Sequence, residues 1–391
     1  MLRFSTAGES HGEALVALLT GVPAGLKIEP SFLDRELWRR QQGYGRGGRM
    51  KIEKDRAHIL SGVRHGATIG SPIALTIANR DWKNWQEALP VGAGEPAKHK
   101  AVVSPRPGHA DLAGALKYNF SEARYVLERA SARESAARVA VGAIAKLFLR
   151  EIGIEVLSHV LAVGAAAVRD PEVPWERVRA LCGREEVLLN CADPEAEKRM
   201  KAEVDTALKS GDSVGGVFEV VAHGVPPGLG TYANWDERLD GLLAWAVMSL
   251  QAVKAVEIGS GITAAGSPGS AVHDEIGYAA GGAFSGFTRK SNHAGGIEGG
   301  VSNGQDILVR GYLKPISTLR RPLESVDFQS RAPVKAAYER SDVCVVPAAG
   351  VAGEAMVALT LARCALEKFG GDSMTETLRN FEGYKKQLGD Y

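Results

Sequence analysis

The chain is poor in cysteine, with four in 391 residues, too few for a disulfide scaffold in a protein this long. Cys182, Cys191, Cys344 and Cys364 form no C-x-x-C pair and stand at no zinc-like spacing from a histidine, so no metal constellation is expected and each reads as a small buried hydrophobe. Net charge is also missing. Forty-seven Lys and Arg against 46 Asp and Glu leave +1, which gives no global basic field for nucleic acid or a membrane surface. A polyanionic ligand would therefore have to be met by local groups of arginine. No run of about 18 apolar residues occurs, and the N-terminus shows no basic segment followed by an apolar one. The expectation is a cytoplasmic protein with neither a membrane nor a nucleic-acid partner. No linker, low-complexity tract or clear repeat interrupts residues 1–391. They read as one domain, although length alone would allow about two or three units. Glycine, by contrast, is plentiful at 46 residues, well above the usual share of about 7%. That excess points to tight turns and to backbone passing close to a ligand.

Residues 1–30 alternate short apolar runs with the turn residues Gly-Val-Pro-Ala-Gly and predict strands. Ser31 is placed to cap a helix over Phe32–Gln42, with Asp34 in a capping-box position. "RESAARVAVGAIAKLFLR" (133–150) has apolar spacing near 3.6 and predicts a long buried helix ending near Gly153. A second helix is expected from Asn234 or Asp236 to Gln251, followed by the strand "VKAVEIG". A third should run from Glu354 to Lys368 and stop at Gly370-Gly371, with a last polar helix from Met374. Residues 160–215 are charged and weakly patterned and suggest a peripheral helical insertion. Strands and helices come in clusters rather than in regular βαβ alternation, so the fold class is α+β.

Two motifs mislead. Gly8-Glu9-Ser10-His11-Gly12 spells G-x-S-x-G, the turn that presents a hydrolase serine after several strands of a preformed sheet. Only seven residues precede it, and a strand rather than a helix follows, so a serine nucleophile is excluded. Gly43-Tyr44-Gly45-Arg46-Gly47-Gly48 spells G-x-G-x-x-G, but a dinucleotide fingerprint needs a strand before it and a helix after it. A basic helix precedes it and the strand-like "RMKIEKD" follows.

The arginines carry more information. Arg35, Arg39, Arg40, Arg46, Arg49 and Lys51 fall within 17 residues. They form either a solvated basic face or a loop whose guanidinium forks and backbone N–H groups close on a phosphate or carboxylate. "YGRGG" resembles an RGG box, yet such boxes are repeated and disordered and this one occurs once. In "SPRPGHADLAG" (104–114) two prolines and a glycine stiffen a loop holding Arg106, His109 and Asp111. "LERASARES" (127–135) puts Arg129, Ser131 and Arg133 at a helix start suited to anions. "LKPISTLRRP" (313–322) offers Lys314 and hydroxyls, and "ERSDVC" (339–344) sets Arg340 beside Asp342. Together these describe an enzyme acting on a small polyanion through proton transfer and electrostatics.

"GESHG", "RRQQGYGRGGRMKIE", "SPRPGHAD", "RASARE", "EGGVSNGQDI", "KPIST" and "RSDVC" with "GEAM", in that order along the chain, resemble the chorismate synthase family. The resemblance spans nearly the whole chain and is thinnest over 160–215. It implies a carbon–oxygen lyase of the shikimate pathway, serving aromatic amino acid biosynthesis. The reaction would convert 5-enolpyruvylshikimate 3-phosphate to chorismate and phosphate by 1,4-elimination, with reduced FMN required although there is no net redox change. The implied fold is a β-α-β sandwich of antiparallel sheets around central helices, assembled as a homotetramer. By the same resemblance His11 would protonate the departing phosphate, His109 would serve the reduced flavin at its N1 side, and Asp342 would assist the flavin N5 in removing the substrate's C6 proton. Ser10, Arg40, Arg46, Arg49, Arg106, Arg133 and Arg340 would line the substrate site. Arg129, Ala130, Ser131, Gln251, Ala252, Gly299, Lys314, Pro315, Ile316, Ser317, Thr318 and Arg340 would contact FMN. Arg40 and Arg46 also match positions assigned to NADPH in some members. One departure is Thr20 before Gly21, where the family usually has an acidic residue. The alternative from another class is a non-catalytic flavin- or RNA-binding protein using the same loops. The compact length leans toward an enzyme that takes its reduced flavin from outside rather than making it with NADPH.

Overall fold

Alternation along two early strands decides the first sheet. In the computed structural model, which describes residues 1–47, 54–94, 100–281, 284–339 and 342–391, Leu15, Ala17 and Leu19 point inward. Val16 and Leu18 between them face out, the period of a half-buried strand. Strands β1 (Arg3–Ala7), β2 (Ala14–Thr20), β3 (His58–Ile59) and β4 (Ile73–Ala78) pair in the order β1-β2-β4-β3, all antiparallel. Ile73, Leu75 and Ile77 of β4 continue the inner face. The second sheet contains β5 (Glu155–Val163), β6 (Ala166–Ala167), β7 (Gly216–His223), β8 (Val253–Ile258) and β9 (Ile307–Leu313), again antiparallel, in the order β8-β9-β7-β5-β6.

Between the sheets lie α1 (Pro30–Gln41), α4 (Ser135–Glu151) and α8 (Val346–Phe369). The other helices named below are α2 (Asp111–Tyr118), α3 (Arg124–Ala130), α5 (Trp175–Cys182), α6 (Pro194–Ser210), α7 (Leu239–Met248) and α9 (Met374–Gly389). α4 packs on the first sheet and on α8, and α8 packs on the second sheet, which makes the expected β-α-β sandwich. The two central helices can approach because Gly142 faces Ala355. A Cβ at Gly142 would lie 2.3 Å from the Ala355 Cβ, so close packing here outweighs the roughly 1 kcal/mol that a mid-helix glycine costs. α8 is apolar and long enough to cross a membrane by composition, but 78% of its apolar window is buried inside the fold.

Ions are buried in this middle layer. Arg39 of α1 forks onto Glu354 of α8 at 2.7 Å through each terminal nitrogen and onto Glu36 at 2.9 Å, and Lys146 of α4 bonds both carboxylates. Burial alone would raise Glu36, but Arg39 and Lys146 hold it down at about 2.

Several element boundaries differ from the sequence expectation. α1 starts at Pro30 with Glu29 as its cap residue and no side-chain cap bond, so the Ser31–Asp34 box does not form. Proline at the first helical position, preset in φ, opens the helix instead. α7 is shorter than 234–251, preceded by a 3-10 turn at Trp235–Glu237. α8 begins eight residues before Glu354. Gly350 and Gly353 lie in these first turns, where a Cβ would come 2.8 Å from Ser158 Oγ and 2.6 Å from Phe218 Cε2, so only glycine lets the helix sit this close to the sheet. α9 starts at Met374 as expected, its Ser373 side chain accepting from the Glu376 N–H. Residues 160–215 hold the two helices α5 and α6, and also the end of β5. Met200 and Val204 of α6 reach the main core. The strand expected at "RMKIEKD" falls almost wholly outside the described residues.

Candidate active site

β8 and β9 are antiparallel neighbours with Val253 opposite Leu313. The residues before β8 and after β9 therefore leave the sheet together. Lys314 N–H donates to Ala252 O at 3.0 Å, which lays Gln251-Ala252 beside 314–318. Gln251 is held by Glu134 at 3.1 Å. From the other side come the β1–β2 turn with Ser10 and His11, the junction of α3 and α4 at 130–132, and the stiff loop 104–111. These segments enclose a cavity of about 700 Å³, a size suited to small ligands and cofactors. Gly8, at φ +97°, makes the β1–β2 turn possible, since a Cβ there would lie 2.3 Å from Ala14 O.

The cavity gathers His11, His109 and Asp342 from three distant parts of the chain. His11 stacks on Trp85 with ring centroids 4.0 Å apart. Its Nδ1 lies 2.9 Å from Glu128 Oε1, and its backbone N–H donates to Glu128 Oε2 at 2.7 Å. Burial would raise Glu128, yet its bonds to His11 and the charges of His11 and Arg124 hold it below the usual glutamate range. In the 104–111 loop, His109 Nδ1 is 2.5 Å from Asp111 Oδ1 and 3.0 Å from Arg106 Nη2. The short contact to the carboxylate marks Nδ1 as the donor, leaving Nε2 for the cavity. Arg106 bonds Asp111 through Nε at 2.8 Å and Thr318 Oγ1 through Nη1 at 2.8 Å. Burial opposes ionisation of Asp111, but His109 and Arg106 hold its carboxyl well below the usual range. Asp342 accepts from Gly47 N–H at 2.5 Å and lies 3.5 Å from Arg46 Nε.

Among the expected binding residues, Ser10, Arg106, Ala130, Ser131, Gln251, Ala252, Lys314, Pro315, Ile316, Ser317 and Thr318 line the cavity. Burial, reinforced by Lys254, lowers the Lys314 ammonium, which donates to Gly108 O and to Ser317 Oγ at 3.1 Å. Arg40 and Arg133 lie behind the wall and share Asp55. Arg133 Nη1 reaches both its oxygens at 2.6 Å, and Arg40 bonds Ser135 Oγ at 2.9 Å and Ala132 O at 3.0 Å. Burial, with repulsion from Arg133 and Arg46, lowers Arg40 to about 10 although Asp55 opposes this; the group stays cationic near neutrality. Arg129 bonds Thr6 O and Gly8 O of the β1 edge, at 3.0 and 3.1 Å, and Gly299 sits in the hairpin turn between Glu298 and Val301. Neither lines the cavity. Arg35 is spent on Cys182 O and Arg184 O and Arg39 on the core ions. Arg49, Lys51 and Arg340 lie outside the described residues. The sequence reading missed Glu128, Trp85, Lys100, Glu339 and Asp55. Glu128 stood inside the quoted "LERASARES", but its facing His11 arises only from tertiary packing.

A family model described as chorismate synthase matches residues 2–366. The chorismate synthase of Koribacter versatilis (strain Ellin345) is 75% identical over the full length of both chains. That of Acidobacterium capsulatum is 69% identical over 99% of each. Among solved structures, a crystal structure of chorismate synthase superposes with a TM-score of 0.80 at 43% identity, covering 100% of this chain and 99% of that one.

Proposed function

The chain belongs to the chorismate synthase family, and from that premise we propose how its cavity performs the lyase reaction, loss of phosphate from 5-enolpyruvylshikimate 3-phosphate to give chorismate. One observation carries the residue roles: the three proton-transfer candidates His11, His109 and Asp342, 331 residues apart at the extremes (342 minus 11), face a single cavity. A non-catalytic binder needs none of them, and nothing in the family match supports that alternative.

In this reading His11, with Nδ1 occupied by Glu128, gives a proton from Nε2 to the departing phosphate. Asp342, turned to the cavity by Gly47 and Arg46, accepts a proton as the substrate's C6–H is broken. His109 holds a proton toward the cavity from a ring fixed by Asp111. Ser10 and Arg106 contact the anionic substrate. Arg40, Arg46 and Arg133 set the positive potential around it, and Arg49 and Arg340 belong to the same group through the family motifs. Preorganised cations of this kind stabilise the negative charge that accumulates as phosphate leaves.

Reduced FMN, when bound, supplies electron density during phosphate loss. The residues present suit it. Leu127, Ala130, Ala252, Pro315, Ile316 and Val345 offer apolar walls for a flat ring, and Arg106, Ser131, Lys314, Ser317 and Thr318 offer donors for a phosphate tail. Gly108 keeps that donor corner open, because a Cβ there would sit 3.4 Å from both Lys314 Nζ and Ser317 Oγ. Arg129 and Gly299, which stand outside the wall, keep their proposed cofactor role on the family motifs alone. We extend the proposal to one domain over 1–391, a cytoplasmic homotetramer, and flavin reduced by an outside source rather than through NADPH at Arg40 and Arg46. The tetramer is favoured by Val16 and Leu18 on the outer face of the first sheet and by Trp245, 71% exposed on α7.

The test is anaerobic phosphate release from 5-enolpyruvylshikimate 3-phosphate with FMN, comparing chemical reductant with NADPH. Turnover with chemically reduced FMN and none with NADPH alone is expected. No release with reduced FMN sinks the proposal, and release driven by NADPH overturns the outside-source reading.

A further inference from the structure

Glu128 lies behind His11 and is 2% exposed, so it cannot meet a ligand directly. Its carboxylate nevertheless takes two donors from one residue, the backbone N–H of His11 at 2.7 Å and the ring Nδ1 at 2.9 Å. The Glu128 backbone carbonyl accepts from Ser10 N–H at 2.9 Å, so the "GESHG" turn is pinned to α3 at three points. The carboxylate is held from behind by Arg124, whose Nη1 is 3.3 Å away. Arg124 is itself fixed by Glu339 at 2.8 Å and Lys100 O at 2.6 Å. Trp85 covers one face of the ring, with the Lys100 ammonium 4.2 Å from the centroid of the indole.

Resting on the acid role proposed for His11, we infer that Glu128 is the positioning residue of that acid. An ionised carboxylate has no proton to give, so Nδ1 must carry the hydrogen and Nε2 becomes the nitrogen that takes up and releases a proton at the cavity. The same carboxylate offsets the positive ring charge before transfer, and Trp85 removes rotation of the ring as an alternative. Glutamine at this position keeps the shape but has one acceptor oxygen for two His11 donors. The fixed backbone N–H takes that oxygen, the amide NH₂ turns to Nδ1, and the ring hydrogen moves to Nε2.

The experiment uses the full chain with FMN and excess chemical reductant under anaerobic conditions. It compares wild type, Glu128→Gln, Glu128→Asp, His11→Asn and the double variant His11→Asn/Glu128→Gln. Glu128→Gln should lower kcat by on the order of 10²-fold while KM moves less than about threefold, the pattern for a group acting only in the proton-transfer step. Glu128→Asp should recover part of the loss. The double variant should be no slower than His11→Asn, because residues acting as one unit are not additive. With ¹⁵N-labelled histidine and the His11 signal assigned by its disappearance in His11→Asn, the neutral ring should be Nδ1–H in wild type and shift to Nε2–H in Glu128→Gln. Unchanged FMN affinity checks that the variants are folded. Wild-type kcat in Glu128→Gln beside an impaired His11→Asn overturns the positioning role alone, as does an additive double variant or an unshifted tautomer. A wild-type rate in His11→Asn overturns the acid role itself.

Discussion

His109 and Asp111 meet through Nδ1 and Oδ1 at 2.5 Å, two residues apart on a loop stiffened by Pro105, Pro107 and Gly108. The same carboxylate takes the Arg106 backbone N–H and Nε at 3.0 and 2.8 Å. One buried aspartate thus orients a histidine and an arginine that both line the cavity. Its carboxyl is more acidic in the fold than in the unfolded chain, so the unfolded chain binds the proton more readily. The stabilisation is complete above the ordinary aspartate value of about 3.9 and is lost as pH falls below it toward the folded value. The guanidinium midpoint of wild type should drop steeply between pH 7 and pH 2.5, inside the range where this stabilisation is lost. Asp111→Asn should start lower at pH 7 and fall less. An equal drop in both removes Asp111 from the acid-sensitive groups.

If both ring nitrogens facing the cavity move protons, removing either ring stops a step while leaving the anion contacts intact. His11→Ala and His109→Ala should each lose on the order of 10²-fold or more in turnover, measured as anaerobic phosphate release with chemically reduced FMN. Wild-type rates in both would remove the proposed roles.

The α+β class was legible because strand-period segments and long apolar helices come in clusters along the chain, whereas the sandwich followed only from the resemblance to the family. Arg106 and His109 of the cavity wall were legible from their Gly- and Pro-rich loop, where backbone is held rigid by a scaffold, whereas Gln251 and Ala252 came only with the family resemblance. The sequence reading treated the arginines of α1 as one group, and the structure splits them. On a helix Arg39 and Arg40 point about 100° apart, so Arg39 enters the core ion cluster and Arg40 meets Asp55. The expected start of α8 at Glu354 was late, and the first turns hold Gly350 and Gly353, where a Cβ would press on Ser158 and Phe218 of the second sheet. Glu128 was hidden for a different reason. Its partner stands 117 residues away, and no local pattern encodes such a pairing.

Glu354 ties the three central helices to the second sheet. It takes Arg39 and Lys146 from two helices and the backbone N–H and hydroxyl of Ser158 from β5 at 2.8 and 2.6 Å, and is fully buried. Breaking a buried network by removing one partner typically costs about 3–5 kcal/mol, here because Arg39 and Lys146 are left desolvated with Glu36 as their one shared counter-charge. Glu354→Ala should therefore show a loss of that order in equilibrium denaturation. A change under about 1 kcal/mol would mean that the cluster relaxes or admits water, against the packing described.

Three cysteines should be chemically silent in the folded chain. Burial pushes Cys191 and Cys344 up to about 11 and Cys364 up to about 12, and the thiolate is the reacting species. At pH 8 that leaves roughly one thiolate in a thousand or fewer at each site, before the barrier of access is counted. Cys182 at the end of α5 is only half-buried. A chromogenic aromatic disulfide reagent should therefore titrate one thiol quickly in native protein and four in guanidinium. Cys344 adds a reading of the site itself, because it packs under Gly45 and stands two residues from Asp342. A Cβ on Gly45 would come 3.3 Å from the Cys344 Cβ. Its labelling requires that corner to open, so slow modification at Cys344 should be accompanied by proportional loss of turnover. Rapid labelling of all four thiols in native protein would contradict the buried placement of these residues and the closed packing around Asp342.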